Sequence, residues 1–188
     1  MRFSDPLPID DVLETLVESL AHKNRAVLIA PPGAGKTTRV PLALLDQTWS
    51  KGKRILVLEP RRLAARAAAQ RLAEQVGGQV GGTVGLRIRL ESRIGPQTRI
   101  EVITEGIFTR MILDDPELSD VAAILFDEFH ERSLDADLGL ALALDVQNTL
   151  NPALRGRSTG SGIDFGLFAG SGRDPPTGST FGCGEAAI

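Results

Sequence analysis

The chain has no tyrosine, one tryptophan, one cysteine and two histidines, and aromatic residues fill only 4% of its 188 positions. So few flat side chains exclude base stacking as the main way of holding a nucleic acid, leaving phosphate or backbone contacts. The single Cys183 cannot close an internal disulfide or build a zinc site, so the cytoplasm is the default compartment. No uncharged apolar run approaches the roughly 18 residues of a spanning helix. The opening MRFSDP brings acid and two prolines by position 8, where a signal peptide needs an apolar run, so no membrane is expected. An excess of basic charge is also missing. The formal net charge of −3 argues against a histone-like binder, while leaving room for a local basic patch.

What is present is the composition of a globular protein, 42% hydrophobic and 24% charged, in a length that makes one ordinary domain. Residues 26–30 (AVLIA), 55–59 (ILVLE), 100–104 (IEVIT) and 122–126 (AAILF) are short apolar runs of strand length. Between them lie segments of helical composition at 9–21, 36–48, 61–76, 105–114 and 134–148. A further short strand is expected over 83–89, after the glycine-rich turn at 77–82. Alternating strand and helix implies βαβ units, a parallel sheet covered by helices on both faces, and ligand sites at the carboxyl ends of the strands.

The pattern stops near Arg155. Nine of the 20 glycines fall within residues 152–188, together with many Ser and Thr and the pair Pro175-Pro176. The expected division is therefore a domain over 1–155 and a low-complexity, disordered tail over 156–188. An ordinary glycine-rich linker is the alternative reading of that tail.

Two motifs carry chemistry. Ala30-Pro31-Pro32-Gly33-Ala34-Gly35-Lys36-Thr37 follows an apolar strand and opens a helix, the context a phosphate loop requires. Glycines there let successive N–H groups wrap a phosphate, and the helix N-terminus adds the positive end of its dipole. Lys36 is expected to reach the β- and γ-phosphates and Thr37 to ligate Mg²⁺, with Thr38 counted among the nucleotide contacts. Ala30 stands where such loops usually begin with glycine, which ordinary strand dihedrals allow. Pro41 should kink or shorten the helix that follows. The second motif is Asp127-Glu128, delivered at the end of the strand 122–126 and followed by Phe129, His130, Glu131 and Arg132. Asp127 is expected to hold the metal and Glu128 to orient or deprotonate the attacking water. A solvated acidic turn is the alternative. With no cysteine partners and only His22 elsewhere, His130 reads as a hydrogen-bonding relay rather than a metal ligand or base.

APPGAGKT, LEPRRLAAR, TEG and DEFHER, in that order, resemble the first RecA-like domain of the DEAH-box (DExH) helicases of superfamily 2, over about residues 7–155. Phe129 replaces the alanine usual in that motif. The resemblance implies ATP as substrate with Mg²⁺, phosphate and metal binding by Lys36 and Thr37, and metal and water handling by Asp127 and Glu128. It also implies that His130 couples hydrolysis to domain closure. It places Arg61, Arg62, Thr104, Glu105 and Gly106 on the sugar-phosphate backbone of a single strand, RNA or DNA, bound without regard to sequence and with marked salt sensitivity. Arg71 is carried over as the side chain that stacks on adenine, and residues 84–89 as a supporting segment. A solvated basic helix face is the alternative for Arg61, Arg62, Arg66 and Arg71.

The same resemblance leads one to expect, after the helix ending near Leu150, a strand with a Ser-Ala-Thr motif and then a second RecA-like domain carrying arginine fingers. None is read in this sequence. Truncation or a change of reading frame is the expectation for residues 156–188, with an exposed sheet edge if the last strand is missing. Two functions follow: a nucleic-acid-stimulated ATPase domain of a helicase, or a fragment that binds ATP and nucleic acid with little turnover. A transporter ATPase subunit fits worse, since an LSGGQ-like signature is missing. A small-molecule kinase would not ordinarily carry DEFHER.

Overall fold

The computed structural model describes residues 6–129 and 133–160. Helix α1 (Asp10–His22) buries Val12, Leu13, Leu16 and Leu20, the one-sided spacing of an amphipathic helix. It is followed by β1 (Arg25–Ile29), α2 (Lys36–Leu45), a 3-10 turn (Thr48–Ser50), β2 (Arg54–Glu59) and α3 (Arg62–Gln75). Then come β3 (Val84–Ile88), β4 (Glu91–Arg93), β5 (Ile100–Thr104), α4 (Glu105–Asp114), β6 (Val121–Phe126), α5 (Leu134–Thr149) and β7 (Arg155–Gly160). Among the described residues they form one seven-stranded sheet in the order β1-β7-β6-β2-β5-β3-β4. Every pairing is parallel except the β3–β4 hairpin. The expected α/β class, a parallel sheet with helices on both faces, is therefore the observed one. Its two faces carry separate apolar clusters, one under α1, α2 and α3 and the other under α4 and α5.

Three details depart from the sequence reading. Helix α2 runs through Pro41 but ends at Leu45 instead of 48, where a 3-10 turn takes over. Strand β4 was not expected: its three residues are charged or polar, and its turn is made by Leu90 at φ 66° without a glycine. The third is the largest. The expectation that no strand follows α5 is corrected by β7, whose segment RGRSTG lies between β1 and β6 and pairs in parallel with both. Backbone hydrogen bonding to two neighbours makes this strand, and no apolar run announces it.

Polar side chains lock β7 in place. Gln147 on α5 donates through Nε2 to the carbonyls of Leu154 (2.5 Å) and Asn24 (2.9 Å) and accepts from the Arg25 guanidinium through Oε1. Arg155 donates to Leu20 O (2.7 Å), and its guanidinium lies 4.4 Å from the Trp49 ring centroid. On the far side of the sheet the fully buried Glu101 of β5 is flanked by Arg54 of β2 and by Arg87 of β3 at 2.8 Å. Burial works against the charge of Arg54, but Asp120 and Glu101 outweigh it and hold the guanidinium above its ordinary value.

In the second cluster the rings of Phe108 (α4), Phe126 (β6) and Phe129 meet edge to face, with centroids 5.9 and 6.1 Å apart. A Cβ at Gly139 of α5 would stand 3.3 Å from the Phe108 ring and 3.6 Å from that of Phe126, so α5 comes close only because this position is bare. Phe108→Leu should cost about 1 kcal/mol through the lost edge-to-face contact. Chemical denaturation that shows no loss of stability would contradict this packing account.

Candidate functional site

The carboxyl edge of the parallel strands gathers the motif residues. Ala30 leaves β1, Asp127 leaves β6, Pro60-Arg61 leaves β2 and Thr104 ends β5. Because β6, β2 and β5 are adjacent in the sheet, Asp127, the arginine pair and the Thr-Glu-Gly run lie side by side. The phosphate-loop candidate lies beyond β7 on the same edge.

The loop from Ala30 to Gly35 is shaped by two glycines with left-handed backbone, Gly33 at φ 79° and Gly35 at φ 97°. The positive φ is what calls for glycine at Gly35, since the tip of Leu7, 2.6 Å from an added Cβ, is the end of a flexible side chain that can shift. Ala30 is not among the non-glycine residues of positive φ, which are Leu90, Leu118 and Glu128, so the missing first glycine costs no strain. Pro31, Pro32 and Gly33 are exposed and Ala34 is buried, its N–H donating to Pro31 O at 3.2 Å. Gly35 caps α2, accepting from the N–H groups of Thr38 (3.2 Å) and Arg39 (2.8 Å), while Thr38 Oγ1 donates to the same carbonyl at 3.3 Å.

Lys36 is 6% exposed and folds back over the loop, Nζ donating to Ala30 O at 2.6 Å and Pro31 O at 3.3 Å. An ammonium buried among carbonyls has no carboxylate partner in those two bonds, and an anion entering the loop would supply the compensating charge. Thr37, the next residue, donates through Oγ1 to Asp127 Oδ2 across 90 residues of sequence. That hydrogen bond spans the β7 slot and brings the two motifs together.

Asp127, 6% exposed, extends the sheet ladder by donating its N–H to Leu58 O at 3.0 Å. Its Oδ1 accepts from the Glu128 N–H at 3.0 Å, and Glu128 adopts φ 48°. A left-handed backbone at a charged non-glycine residue is uncommon and costs about 1 kcal/mol or more. It turns Glu128 away from the strand direction just where two carboxylates leave the sheet. The Thr37 hydroxyl and the Asp127 carboxylate are the hard oxygen donors Mg²⁺ prefers, and Mg²⁺ commonly takes only one or two protein oxygens beside phosphates and water. Among the described residues no group of three or more His, Cys, Asp or Glu side chains could hold a metal by itself. The donor set therefore fits a metal that arrives with a phosphate ligand. His130, Glu131 and Arg132 lie outside the described residues.

Arg61 caps α3 and Arg62 is its first residue, both exposed, and Arg71 is exposed further along the helix. Thr104 caps α4, with Glu105 and Gly106 opening that helix. Gly106 is exposed, and a Cβ there would meet nothing within 4 Å. Beside α3 lies a groove of about 920 Å³ between the helix and the β3–β4 hairpin. Arg62, Arg66, Arg89 and Arg93 line it with Leu63 and Leu90, which are 77% and 96% exposed. Glu91 ties Arg66 (2.7 Å) to Arg93 (3.0 Å). The arginines of α3 are visible in the sequence, but the hairpin that faces them is not. Ser133 caps α5, and its place before an apolar-periodic segment is the usual signal of a helix cap.

Comparison with known proteins decides the family. The DEAD/DEAH box helicase family matches residues 11–146. The chain belongs to that family. It is 54% identical over 149 residues to the ATP-dependent RNA helicase HrpB of Escherichia coli, covering 79% of this chain and 18% of HrpB. It is 35% identical over 140 residues to the ATP-dependent RNA helicase HrpA of Borreliella burgdorferi, covering 74% of this chain and 17% of HrpA. A crystal structure of E. coli HrpB superposes with a TM-score of 0.81 at 50% identity, covering 85% of this chain and 20% of that one. The chain thus spans about a fifth of the length of these relatives. The fold described above is the RecA-like domain of the helicase family, as the four ordered motifs imply. No helix among the described residues is long and apolar enough to cross a membrane.

Proposed function

We propose that this helicase-family chain binds Mg²⁺-ATP between the phosphate loop and the β6 carboxylates and binds single-stranded nucleic acid along the neighbouring strand ends. The observation that supports the reading is the Thr37–Asp127 hydrogen bond, which brings the two motifs into contact. Gly33, Gly35 and the first residues of α2 offer backbone N–H groups to the phosphates, Ala34 shapes the loop through its bond to Pro31 O, and Lys36 moves from the carbonyls of Ala30 and Pro31 to the β- and γ-oxygens. Mg²⁺, held by Thr37 and Asp127, neutralises charge on those phosphates when bound. Glu128 orients the attacking water and takes its proton. Arg71 stacks on the base, and His130 relays the state of the site to a second RecA-like domain. Arginine fingers from that second domain, worth roughly 10³–10⁵ in rate in other phosphoryl-transfer enzymes, complete the site. These 188 residues assayed without such arginines should hydrolyse ATP slowly, so binding is the property to measure first. Adding saturating Mg²⁺-ATP should raise the melting temperature of the chain; no shift at millimolar nucleotide would refute the reading.

For the strand, Arg61, Arg62 and the Thr104-Glu105-Gly106 turn hold phosphates, and the bare surface at Gly106 admits a sugar-phosphate backbone. The scarcity of aromatics and the arginine-lined groove both favour electrostatic over stacking contacts. Arg62→Ala should weaken oligouridylate and oligoadenylate equally. It should also lower the slope of log affinity against log salt by about 0.7, one phosphate contact on a single strand. An affinity loss confined to one base composition, or an unchanged slope, would contradict the assignment.

A further inference from the structure

Outside the nucleotide site, one side chain joins the two ligand-binding edges. Ser133 Oγ accepts the Ala136 N–H at 2.9 Å, capping α5, and donates to Glu105 Oε2 at 2.7 Å, the first residue of α4. Ser133 stands five residues after Glu128 in sequence. The Asp127 N–H is held on Leu58 O. The Phe108–Phe126–Phe129 stack and the close approach at Gly139 pack α4, β6 and α5 against one another. Close-packed contacts of this kind pass a displacement on rather than absorb it.

We propose that Ser133 is a positioning residue that transmits strand occupancy at Thr104-Glu105-Gly106 to the Asp127-Glu128 carboxylates, and nucleotide occupancy back again. The inference rests on the strand-binding reading above. A phosphate seated at Gly106 approaches the half-buried Glu105 carboxylate and repels it. The Ser133 hydroxyl holds that carboxylate against the first turn of α5. The repulsion therefore moves α4 and α5 together, and through Phe108 it reaches Phe126 and Phe129, the residues that flank Asp127-Glu128. By linkage, each ligand changes the affinity of the other by the same factor.

Three variants separate coupling from capping. Ser133→Thr keeps both the acceptor and the donor. Ser133→Asp keeps the acceptor, and Asp is a good cap, but it cannot donate and sets a like charge against Glu105. Ser133→Ala loses both bonds. The measurement is oligouridylate affinity of the 188-residue chain with and without a saturating non-hydrolysable Mg²⁺-ATP analogue, with melting temperatures alongside. The wild type and Ser133→Thr should show a ratio of about fivefold or more, a usual size for coupling. Ser133→Asp should bring the ratio within about twofold of unity while staying folded and still binding each ligand alone, its melting temperature lowered by the like charge beside Glu105. A wild-type ratio in Ser133→Asp overturns the proposal, as does equal loss of the ratio in Ser133→Thr. Absence of oligouridylate or nucleotide binding in the wild type shows the underlying reading to be at fault, and the inference falls with it.

Discussion

Lys36→Ala should weaken Mg²⁺-ATP binding by on the order of a hundredfold, the largest loss of affinity expected from a single substitution in this chain. The ammonium is carried at the first residue of α2 into a loop whose backbone closes around it, and Ala30 O and Pro31 O hold it at 2.6 and 3.3 Å. On the proposed binding mode those bonds to neutral carbonyls would give way to bonds with two anionic phosphate oxygens when the nucleotide enters. At about 1.5 kcal/mol each, two such bonds contribute about 3 kcal/mol, and 1.4 kcal/mol is about tenfold in affinity. Calorimetric titration of the wild type and Lys36→Ala, with melting temperatures measured in parallel, checks this. Unaltered affinity in a folded variant would remove the phosphate-loop assignment.

Glu128→Gln should leave Mg²⁺-ATP affinity nearly unchanged and lower turnover by about 10²–10⁴-fold, the usual contribution of a general base. The substitution is isosteric, and the backbone N–H that donates to Asp127 Oδ1 at 3.0 Å is untouched, so the left-handed turn at φ 48° should persist. The amide can still orient a water but cannot take its proton. Asp127→Asn differs in kind, since it replaces the carboxylate that meets Thr37 and should weaken the dependence of binding on Mg²⁺. Single-turnover assays with excess protein resolve the slow rates of an isolated domain. Equal turnover in the wild type and Glu128→Gln would place the base elsewhere.

The parallel sheet, its helices and both motifs were legible because their signals are local. AVLI, ILVLE, IEVIT and AAILF are short, mostly apolar runs, and such runs mark strands buried on both faces. The glycines of the loop are legible for the same reason, since Gly33 and Gly35 both need positive φ. What escaped depends on distant partners. RGRSTG has the composition of a linker, and only the open edges of β1 and β6 make it a strand. Glu101 sits inside an apparent apolar run, and its burial becomes intelligible once Arg54 and Arg87 are brought beside it from other strands. The β3–β4 hairpin hides its turn at Leu90, a residue with no turn propensity. Ser133 shows a cap signal along the chain, but its second bond, to Glu105, exists only in three dimensions.

The most direct test of the account is titration of the 188-residue chain with ATP in Mg²⁺ and again after Mg²⁺ is chelated. One ATP should bind per chain, with affinity that falls when the metal is removed and drops about a hundredfold in Lys36→Ala. Absence of saturable binding by a folded chain, or binding indifferent to both Mg²⁺ and Lys36, would contradict the assignment of the site between Thr37 and Asp127.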